Sequence, residues 1–339
     1  MIDDERPEGL ARLRTALAAR AQLKTWSEGA ELIELVRAVH RAGWLTRLRQ
    51  EATAEDLATI GGAPVEQVAN VLAVLTGAGV TEGKAGVFRL SPTFDALVAG
   101  TTGVDLGETL DGLDLVRGRV ALATGREDGM TGQQALVVAR DWGIGPTEDA
   151  QQLYQALYAS IPEYRARLEK GGPLLDVGCG IGAAVLTTAT MYGDLRAVAI
   201  EVVPEVAVET RRRAEEAGVA DRVEIRTADA RTLTEESAFE ISFWAQPFFD
   251  PSTRADTLAV IFRALRPGGL LLVQELFPPV SEEDGPNVRG LLDRLVLEQQ
   301  HASFGRTAED LAAEAAEAGF RDAEIRVNLL GRLVLTRKP

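Results

Sequence analysis

The sequence is short of the residues and segments that several protein classes need. Its 339 residues include one cysteine, Cys179, so no disulfide can form within the chain. Two histidines and no cluster of cysteines argue against a structural zinc site, and no metal is expected. No apolar run approaches the roughly 18 residues of a membrane span. The acidic start, Met1 to Glu5, lacks the apolar core of a signal peptide. We therefore expect a cytoplasmic protein with no membrane partner.

Basic residues are also scarce, with 36 Lys and Arg against 51 Asp and Glu and a net charge of −15. Binding to nucleic acid depends on clustered Lys and Arg that neutralise phosphates, so nucleic acid is excluded as the main partner. By elimination, the expected partner is a small molecule or another protein chain. The length and the 46% content of hydrophobic residues suffice for two domains with a sizeable core.

Residues 174–182 (Leu-Leu-Asp-Val-Gly-Cys-Gly-Ile-Gly) combine a short apolar run, an acidic residue and three alternating glycines. A helix is predicted to follow over residues 183–192. This succession of strand, tight loop and helix is typical of the first unit of a doubly wound α/β fold, in which the helix N-terminus meets a ligand. Cys179 lies within the loop and is interpreted as a packing residue, because the sequence offers it no obvious partner base.

Two ligands fit this glycine loop. The spacing Gly178-x-Gly180-x-x-Ala183 matches the fingerprint of dinucleotide-binding proteins, in which alanine is allowed at the third position. The spacing Asp176-x-Gly178-x-Gly180-x-Gly182 resembles motif I of class I S-adenosylmethionine-dependent methyltransferases. The glycine spacing alone does not distinguish the two ligands, so the assignment depends on the residues that follow the loop.

Further strands are predicted over residues 195–200, 222–227, 240–245 and 270–275, alternating with helices, and a closing hairpin over 324–328 and 332–337. The alternation predicts a mostly parallel sheet, here with seven strands. Glu201 and Asp229 follow the second and third strands, and a Leu-Arg-Pro-Gly-Gly turn precedes the fifth. This order resembles class I methyltransferases over residues 171–339, so the predicted fold class is α/β with a doubly wound sheet.

The N-terminal part is predicted to be mainly helical, with helices over residues 10–24, 31–42, 53–61 and 64–76 and a β-hairpin around residues 83–86. This order is winged-helix-like, which raises the alternative of a ligand-responsive transcription regulator. Residues 50–83 contain no Lys or Arg, however, which opposes binding to DNA phosphates. We interpret residues 1–100 as a dimerisation domain, 101–170 as a helical linker that lines the pocket, and 171–339 as the cofactor-binding domain.

As a whole, the chain resembles the small-molecule O-methyltransferase family, whose members dimerise through the N-terminal domain. The resemblance implies S-adenosyl-L-methionine as the cofactor, a homodimer, and a small aromatic or apolar specialised metabolite as the acceptor. It also implies a set of cofactor contacts: the methionine part with Asp176, Gly178, Gly180 and Gly182, the ribose with Glu201, and the adenine with Val202, Asp229 and Ala230.

The catalytic group is where the sequence departs from that family. Many members carry a histidine base after the fourth strand, where this chain has Gln246, and glutamine cannot act as a base. The remaining candidates are His301, Asp250 and Glu275. In the first alternative, one of these residues is the base for O-methylation, the reaction that the family resemblance favours. In the second, the acceptor needs no base, as in C- or N-methylation, and Gln246 orients the acceptor. A non-methylating enzyme that binds S-adenosylmethionine is a further alternative.

Aromatic residues around the fourth strand predict an apolar acceptor pocket, to which a tyrosine from the helix predicted over residues 147–168 is added. The pocket candidates are Tyr158, Phe243, Trp244, Phe248 and Phe249. The alternative is that these rings, together with the neighbouring Tyr154 and Tyr164, belong to the hydrophobic core.

Overall fold

The computed structural model describes residues 9–125, 129–277, 279, 287–299, 302–328 and 330–339. The chain divides into two compact units, Met1–Ala99 and Gly100–Pro339. The first unit is helical apart from one hairpin. Its elements are α1 (Gly9–Arg41), α2 (Trp44–Arg47), α3 (Ala54–Gly61), α4 (Val65–Gly77), β1 (Thr81–Lys84), β2 (Val87–Leu90) and α5 (Pro92–Val98).

The first helix differs from its prediction. The sequence predicts two helices, whereas the structure has one continuous helix over Gly9–Arg41. No proline lies between the two predicted segments, and a lone glycine such as Gly29 costs a helix only about 1 kcal/mol. The chain therefore stays helical through the polar stretch that separates the two apolar patterns.

The short helix α3 and the β1–β2 hairpin confirm the helix predicted over residues 53–61 and the hairpin predicted around residues 83–86. Thr53 and Asp56 form a reciprocal capping box at the start of α3, which satisfies backbone N–H groups that the first turn leaves without partners. In the hairpin, β1 and β2 are joined by Ala85 and Gly86, both with positive φ, as a two-residue turn requires. Among the described residues no single helix is long and apolar enough to cross a membrane; α3 and α4 meet that test only as a pair bent by 112°.

The second unit is a sheet covered by helices. Its strands are β3 (Leu174–Val177), β4 (Ala197–Glu201), β5 (Val223–Thr227), β6 (Phe239–Trp244), β7 (Leu265–Gln274), β8 (Arg321–Asn328) and β9 (Gly331–Arg337). Its helices are α6 (Leu106–Ala121), α7 (Gly132–Trp142), α8 (Glu148–Ala159), α9 (Pro162–Glu169), α10 (Ala183–Met191), α11 (Pro204–Glu216), α12 (Arg254–Ala264), α13 (Val288–Gln299) and α14 (Ala308–Glu317). The single helix predicted over residues 147–168 is wrong, because Pro162 lacks the N–H that would continue α8 and instead begins α9.

The seven strands lie in the order β5-β4-β3-β6-β7-β9-β8, with β3 to β7 mutually parallel and β9 antiparallel to both of its neighbours. This confirms the predicted doubly wound, mostly parallel sheet. The chain leaves β3 towards β4 on one side and later returns to pair β6 on the other side. The carboxyl ends of β3 and β6 therefore flank the topological switch point, where ligands bind in such sheets.

The two faces of the sheet bury separate cores. One face carries Leu174, Ile241 and Leu270 and packs against α8, α9 and α10. The other carries Leu175, Val177 and Leu271 and packs against α12 and α14. Because successive strand residues alternate between faces, Asp176 and its register partner Phe243 belong to the face covered by α8 and α10.

Candidate functional site

A cavity of about 460 Å³ opens at the carboxyl ends of β3, β4, β5 and β6. The glycine loop after β3 forms its floor, and the residues that follow the other three strands form its sides. Helix α7 adds a further wall. The cavity therefore lies where the strand order predicts a ligand site.

The glycine loop takes a backbone path that other residues would resist. Gly178 and Gly182 have φ values of 75° and 82°. A Cβ on Gly178 would lie 2.6 Å from the Phe249 ring, and one on Gly182 would lie 2.8 Å from Leu186. Gly178 and Gly180 line the cavity, whereas Gly182 does not and instead shapes the start of α10. The glycines thus combine left-handed backbone with close packing.

Asp176 lines the cavity as a buried carboxylate, 1% exposed. Neither of its oxygens accepts a hydrogen bond of normal geometry within the described part of the chain. Burial, and then the neighbouring carboxylate of Glu201, raise the pKa of Asp176 to about 7, although the nearby backbone N–H of Val185 lowers it a little. Since an unpartnered buried charge is costly, this position is suited to a cationic group of a ligand.

Glu201 is held rigidly at the end of β4. Its two carboxylate oxygens accept hydrogen bonds from the backbone N–H of Gly180 at 3.1 Å and of Val203 at 2.9 Å. Burial raises the pKa of Glu201. Both oxygens keep a lone pair for a ligand hydroxyl. The adjacent Val202 is exposed and lines the cavity, as a residue that stacks on a flat ring would.

Asp229 and Ala230 line the far end of the cavity after β5. The Asp229 carboxylate caps a short 3-10 helix and accepts two hydrogen bonds from the Arg231 guanidinium, with Nη2 to Oδ2 at 2.6 Å. Arg231 holds the pKa of Asp229 below its usual value. The pair is half-exposed, so a ligand amino group at Asp229 shares the carboxylate with Arg231.

Three of the five predicted pocket residues line the cavity, namely Phe243, Phe248 and Phe249. The structure places the other two away from it. Trp244 is buried behind Phe249 with Arg254 over its ring at 4.8 Å, and the Tyr158 hydroxyl bonds with Thr188 Oγ1 at 2.6 Å.

The predicted catalytic residues are scattered. Gln246 is fully buried and outside the cavity lining, with its amide held by Gln274 O at 3.3 Å and by Arg254 at 2.8 Å. Asp250 lines the cavity and accepts hydrogen bonds from Ser252. Glu275 is occupied by the Ala308 N–H and by Arg332, away from the cavity. His301 lies outside the described residues. Of these four candidates, the structure places Asp250 alone at the cavity among the residues it describes.

Helix α7 lies in residues 101–170, which were interpreted as a helical linker that lines the pocket, without bounds for the helices within it. Ala135, Val138, Ala139 and Trp142 line the cavity from its inner face. Two features of the sequence indicate this helix: the apolar run over residues 135–138 and a capping box between Thr131 and Gln134.

The helix α7 is anchored to α11 by charge. Arg140 donates to Glu209 at 3.1 Å, and Glu209 also accepts from Arg213, which reaches Glu108 of α6 at 2.6 Å. Hydrogen bonds from Arg212, and then from Arg213 and Arg140, hold the pKa of Glu209 well below its usual value. This wall of the cavity is therefore held in place from outside.

One protein family matches the segment that forms the floor of the cavity. Residues 174–269 match the family model described as "Methyltransferase domain". This segment of the chain therefore matches a methyltransferase domain, as the resemblance implied, and it contains the glycine loop and all three strand-end carboxylates, Asp176, Glu201 and Asp229.

Two solved structures share the fold over nearly the whole chain. An O-methyltransferase family protein from Burkholderia thailandensis is 14% identical, with a TM-score of 0.71, covering 94% of this chain and 97% of that one. Human N-acetylserotonin methyltransferase in complex with S-adenosylmethionine is also 14% identical, with a TM-score of 0.64, covering 100% and 99%. At this identity the likeness establishes the fold.

Among curated proteins, a carboxy-S-adenosyl-L-methionine synthase from Shewanella amazonensis is 36% identical over 159 residues, which are 44% of this chain and 62% of that protein. The chain spans 33% to 62% of the length of the first curated relatives that it matches. The sequence likeness is thus confined to part of those proteins.

Proposed function

We propose that the protein is a methyltransferase that uses S-adenosyl-L-methionine to methylate a small apolar or aromatic molecule. The observation that carries the proposal is the buried carboxylate of Asp176, which lines the cavity at the base of the glycine loop and has no side-chain partner among the described residues. S-adenosylmethionine presents an ammonium group and a sulfonium, and a buried carboxylate suits both. The family match over residues 174–269 supports the same cofactor.

The other two strand-end carboxylates fit the remaining parts of this cofactor. Glu201 offers two fixed acceptors to ribose hydroxyls, and Val202 offers an apolar surface to the adenine ring. Asp229 accepts from the adenine amino group, beside the buried Ala230. The bound cofactor supplies a methyl group already activated by the sulfonium. The main task of the chain is therefore to hold the acceptor in line and to exclude water.

The acceptor side of the cavity favours an apolar molecule. Phe243, Phe248, Trp142 and Leu276 line it, and the described lining residues include no histidine. Asp250 is the carboxylate that we assign to accept a proton from a hydroxyl acceptor. We favour oxygen as the methylated atom because of the resemblance to O-methyltransferases; a carbon or nitrogen acceptor would need no base.

Isothermal calorimetry tests the cofactor. We expect S-adenosylhomocysteine to bind the wild-type protein at micromolar concentration and NADH to give no heat of binding. Tight binding of NADH without a response to S-adenosylhomocysteine would instead favour an oxidoreductase. Incubation with methyl-labelled S-adenosylmethionine and a panel of phenols and amines then separates a methyltransferase from an enzyme that binds the cofactor without transferring its methyl group.

We also propose that the first unit is a dimerisation module. Five large side chains on α1 are between 45% and 66% exposed: Leu10, Leu13, Leu17, Leu23 and Trp26. Leu10, Leu13 and Leu17 share one face of α1 through their i, i+3, i+7 spacing, and an exposed apolar face of this kind is typical of a protein–protein interface. The winged-helix-like order of α3, α4 and the hairpin would also suit a DNA-binding regulator, but α3 and α4 carry no Lys or Arg to meet phosphates.

Light scattering tests the dimer. We expect twice the monomer mass for the wild type and the monomer mass for the Leu13→Glu/Leu17→Glu variant, because two buried charges would oppose association. Leu122→Glu, which changes an equally exposed leucine in the second unit, is the control and should stay dimeric. A wild-type monomer at micromolar concentration would refute the proposal, and sequence-specific duplex binding at low salt would favour the regulator.

A further inference from the structure

Tyr154 differs from the two tyrosines that follow it in the chain. It stands on α8 and lines the cavity, whereas Tyr158 and Tyr164 are buried in the core. The Tyr158 hydroxyl is paired with Thr188 Oγ1. The Tyr154 hydroxyl makes no hydrogen bond to any residue that the structure describes. Tyr154 therefore brings to the site a hydroxyl that has no partner among the described residues.

The position of Tyr154 links it to Asp176. Its ring packs against the sheet face that holds Leu174 and Ile241, the face to which Asp176 also belongs. Burial, and then the charge of Asp176, raise the pKa of Tyr154 above its ordinary value. The hydroxyl is therefore protonated at neutral pH and is available as a hydrogen-bond donor close to the Asp176 end of the cavity.

Within the part of the chain that the structure describes, the charged side chains around the cavity offer no cation to the carboxylate of the methyl donor. The amino-acid part of S-adenosylmethionine carries a carboxylate as well as an ammonium group. The groups at the glycine-loop end of the cavity that can carry a charge near neutral pH, Asp176 and Glu201, are both acidic. Among the described lining residues the guanidinium of Arg231 is the only cationic group, and it is paired with Asp229 at the other end. The ligand carboxylate must therefore be met by neutral donors.

Few neutral side-chain donors are available there: the Trp142 indole lies beside the aromatic rings of the acceptor side, and the Cys179 thiol already donates to the Gly180 carbonyl oxygen. The hydroxyls of Thr253 and Thr257, which also line the cavity, already donate to the carbonyl oxygens of Asp250 and Thr253. The Tyr154 hydroxyl can still donate a hydrogen bond to a ligand.

We propose that Tyr154 positions the methyl donor by donating a hydrogen bond to the carboxylate of the donor's amino-acid part, while Asp176 accepts from its ammonium group. This assignment rests on the proposed function. It makes α8 a part of the cofactor site and explains why the hydroxyl of Tyr154, unlike that of Tyr158, has no partner within the described protein.

Calorimetry with two ligands tests the assignment. The probes are S-adenosylhomocysteine and its decarboxylated analogue, which keeps the ammonium group and lacks the carboxylate. We expect Tyr154→Phe to weaken binding of S-adenosylhomocysteine by about 10- to 100-fold, the range for a hydrogen bond to a charged group. Binding of the decarboxylated analogue should be unchanged. Tyr158→Phe is the matched control, because it removes a hydroxyl that lies outside the cavity, and it should leave both affinities unchanged.

The outcomes separate this inference from the proposed function. If the wild type binds neither ligand, the proposed function fails. If the wild type binds S-adenosylhomocysteine and Tyr154→Phe binds it equally well, the inference is wrong and the function stands. Equal weakening of both ligands by Tyr154→Phe would mean that the residue only shapes the cavity, which also overturns the inference. If Tyr154→Phe loses its folded circular dichroism spectrum, the test rests on the wild type. Equal affinity of the wild type for S-adenosylhomocysteine and for the decarboxylated analogue would then contradict the assignment.

Discussion

The Asp176→Asn variant is expected to melt at a higher temperature than the wild type in the absence of ligand and to bind S-adenosylhomocysteine about 100-fold more weakly. Both effects have one cause. The carboxylate is buried without a hydrogen-bond partner in the described protein, so it destabilises the empty fold and is available to a ligand ammonium group. Asparagine is neutral and close in shape, which relieves the burial penalty and removes the charge.

The stability effect has a defined pH dependence. The pKa of Asp176 is about 7 in the folded protein against an ordinary value of 3.8, so the folded state binds more protons between these limits. The wild type therefore loses stability as the pH rises from about 3.8 to about 7, by at most about 4 kcal/mol. The melting temperature of Asp176→Asn should exceed that of the wild type most at pH 8, and the difference should shrink as the pH is lowered towards 3.8.

Scanning calorimetry at several pH values and binding titrations check both effects. Asp141→Asn is the matched control, because burial also raises the pKa of Asp141 but the residue does not line the cavity. We expect that variant to gain a little stability and to bind S-adenosylhomocysteine normally. A lower melting temperature of Asp176→Asn at pH 8, together with retained tight binding, would contradict this account of the site.

The second large effect is expected from Arg254→Met, which should lower the free energy of unfolding by about 3–5 kcal/mol. The Arg254 side chain is 4% exposed and donates to the carbonyl and amide oxygens of Gln246 and to the carboxylate of Glu314. It thereby joins α12, α14 and the segment after β6. Methionine keeps much of the volume but leaves the carboxylate and two oxygens without this partner.

Urea unfolding of the two arginine variants measures this effect. Arg306→Met is the control, because Arg306 pairs with the same Glu314 carboxylate at 3.1 Å but is 37% exposed. A partly exposed pair of this kind contributes less than about 1 kcal/mol. Equal destabilisation by Arg254→Met and Arg306→Met would show that the burial of Arg254 is not what gives it its effect. Arg254 holds Gln246, and the next residues along the chain include Phe248 and Phe249, which line the cavity. We therefore also expect Arg254→Met to weaken ligand binding.

The sheet, the glycine loop and the carboxylates at the strand ends could be predicted from the sequence alone. These features are local: a run of apolar residues predicts a buried strand, and alternating glycines predict a loop that other residues would resist. The family resemblance assigned Asp176, Glu201 and Asp229 to one ligand, and all three line one cavity because the carboxyl ends of parallel strands meet at one edge of the sheet.

The aromatic and polar side chains that reach the cavity could be identified only from the folded structure. Phe243 lines it and the next residue, Trp244, does not, because neighbouring strand residues point to opposite faces of the sheet. Tyr154 and Tyr158 share one side of α8, yet one borders the cavity and the other pairs with Thr188. Gln246 follows β6 but is held by Arg254 from α12. Each of these outcomes depends on what another part of the chain places opposite the residue, and spacing along the sequence does not carry that information.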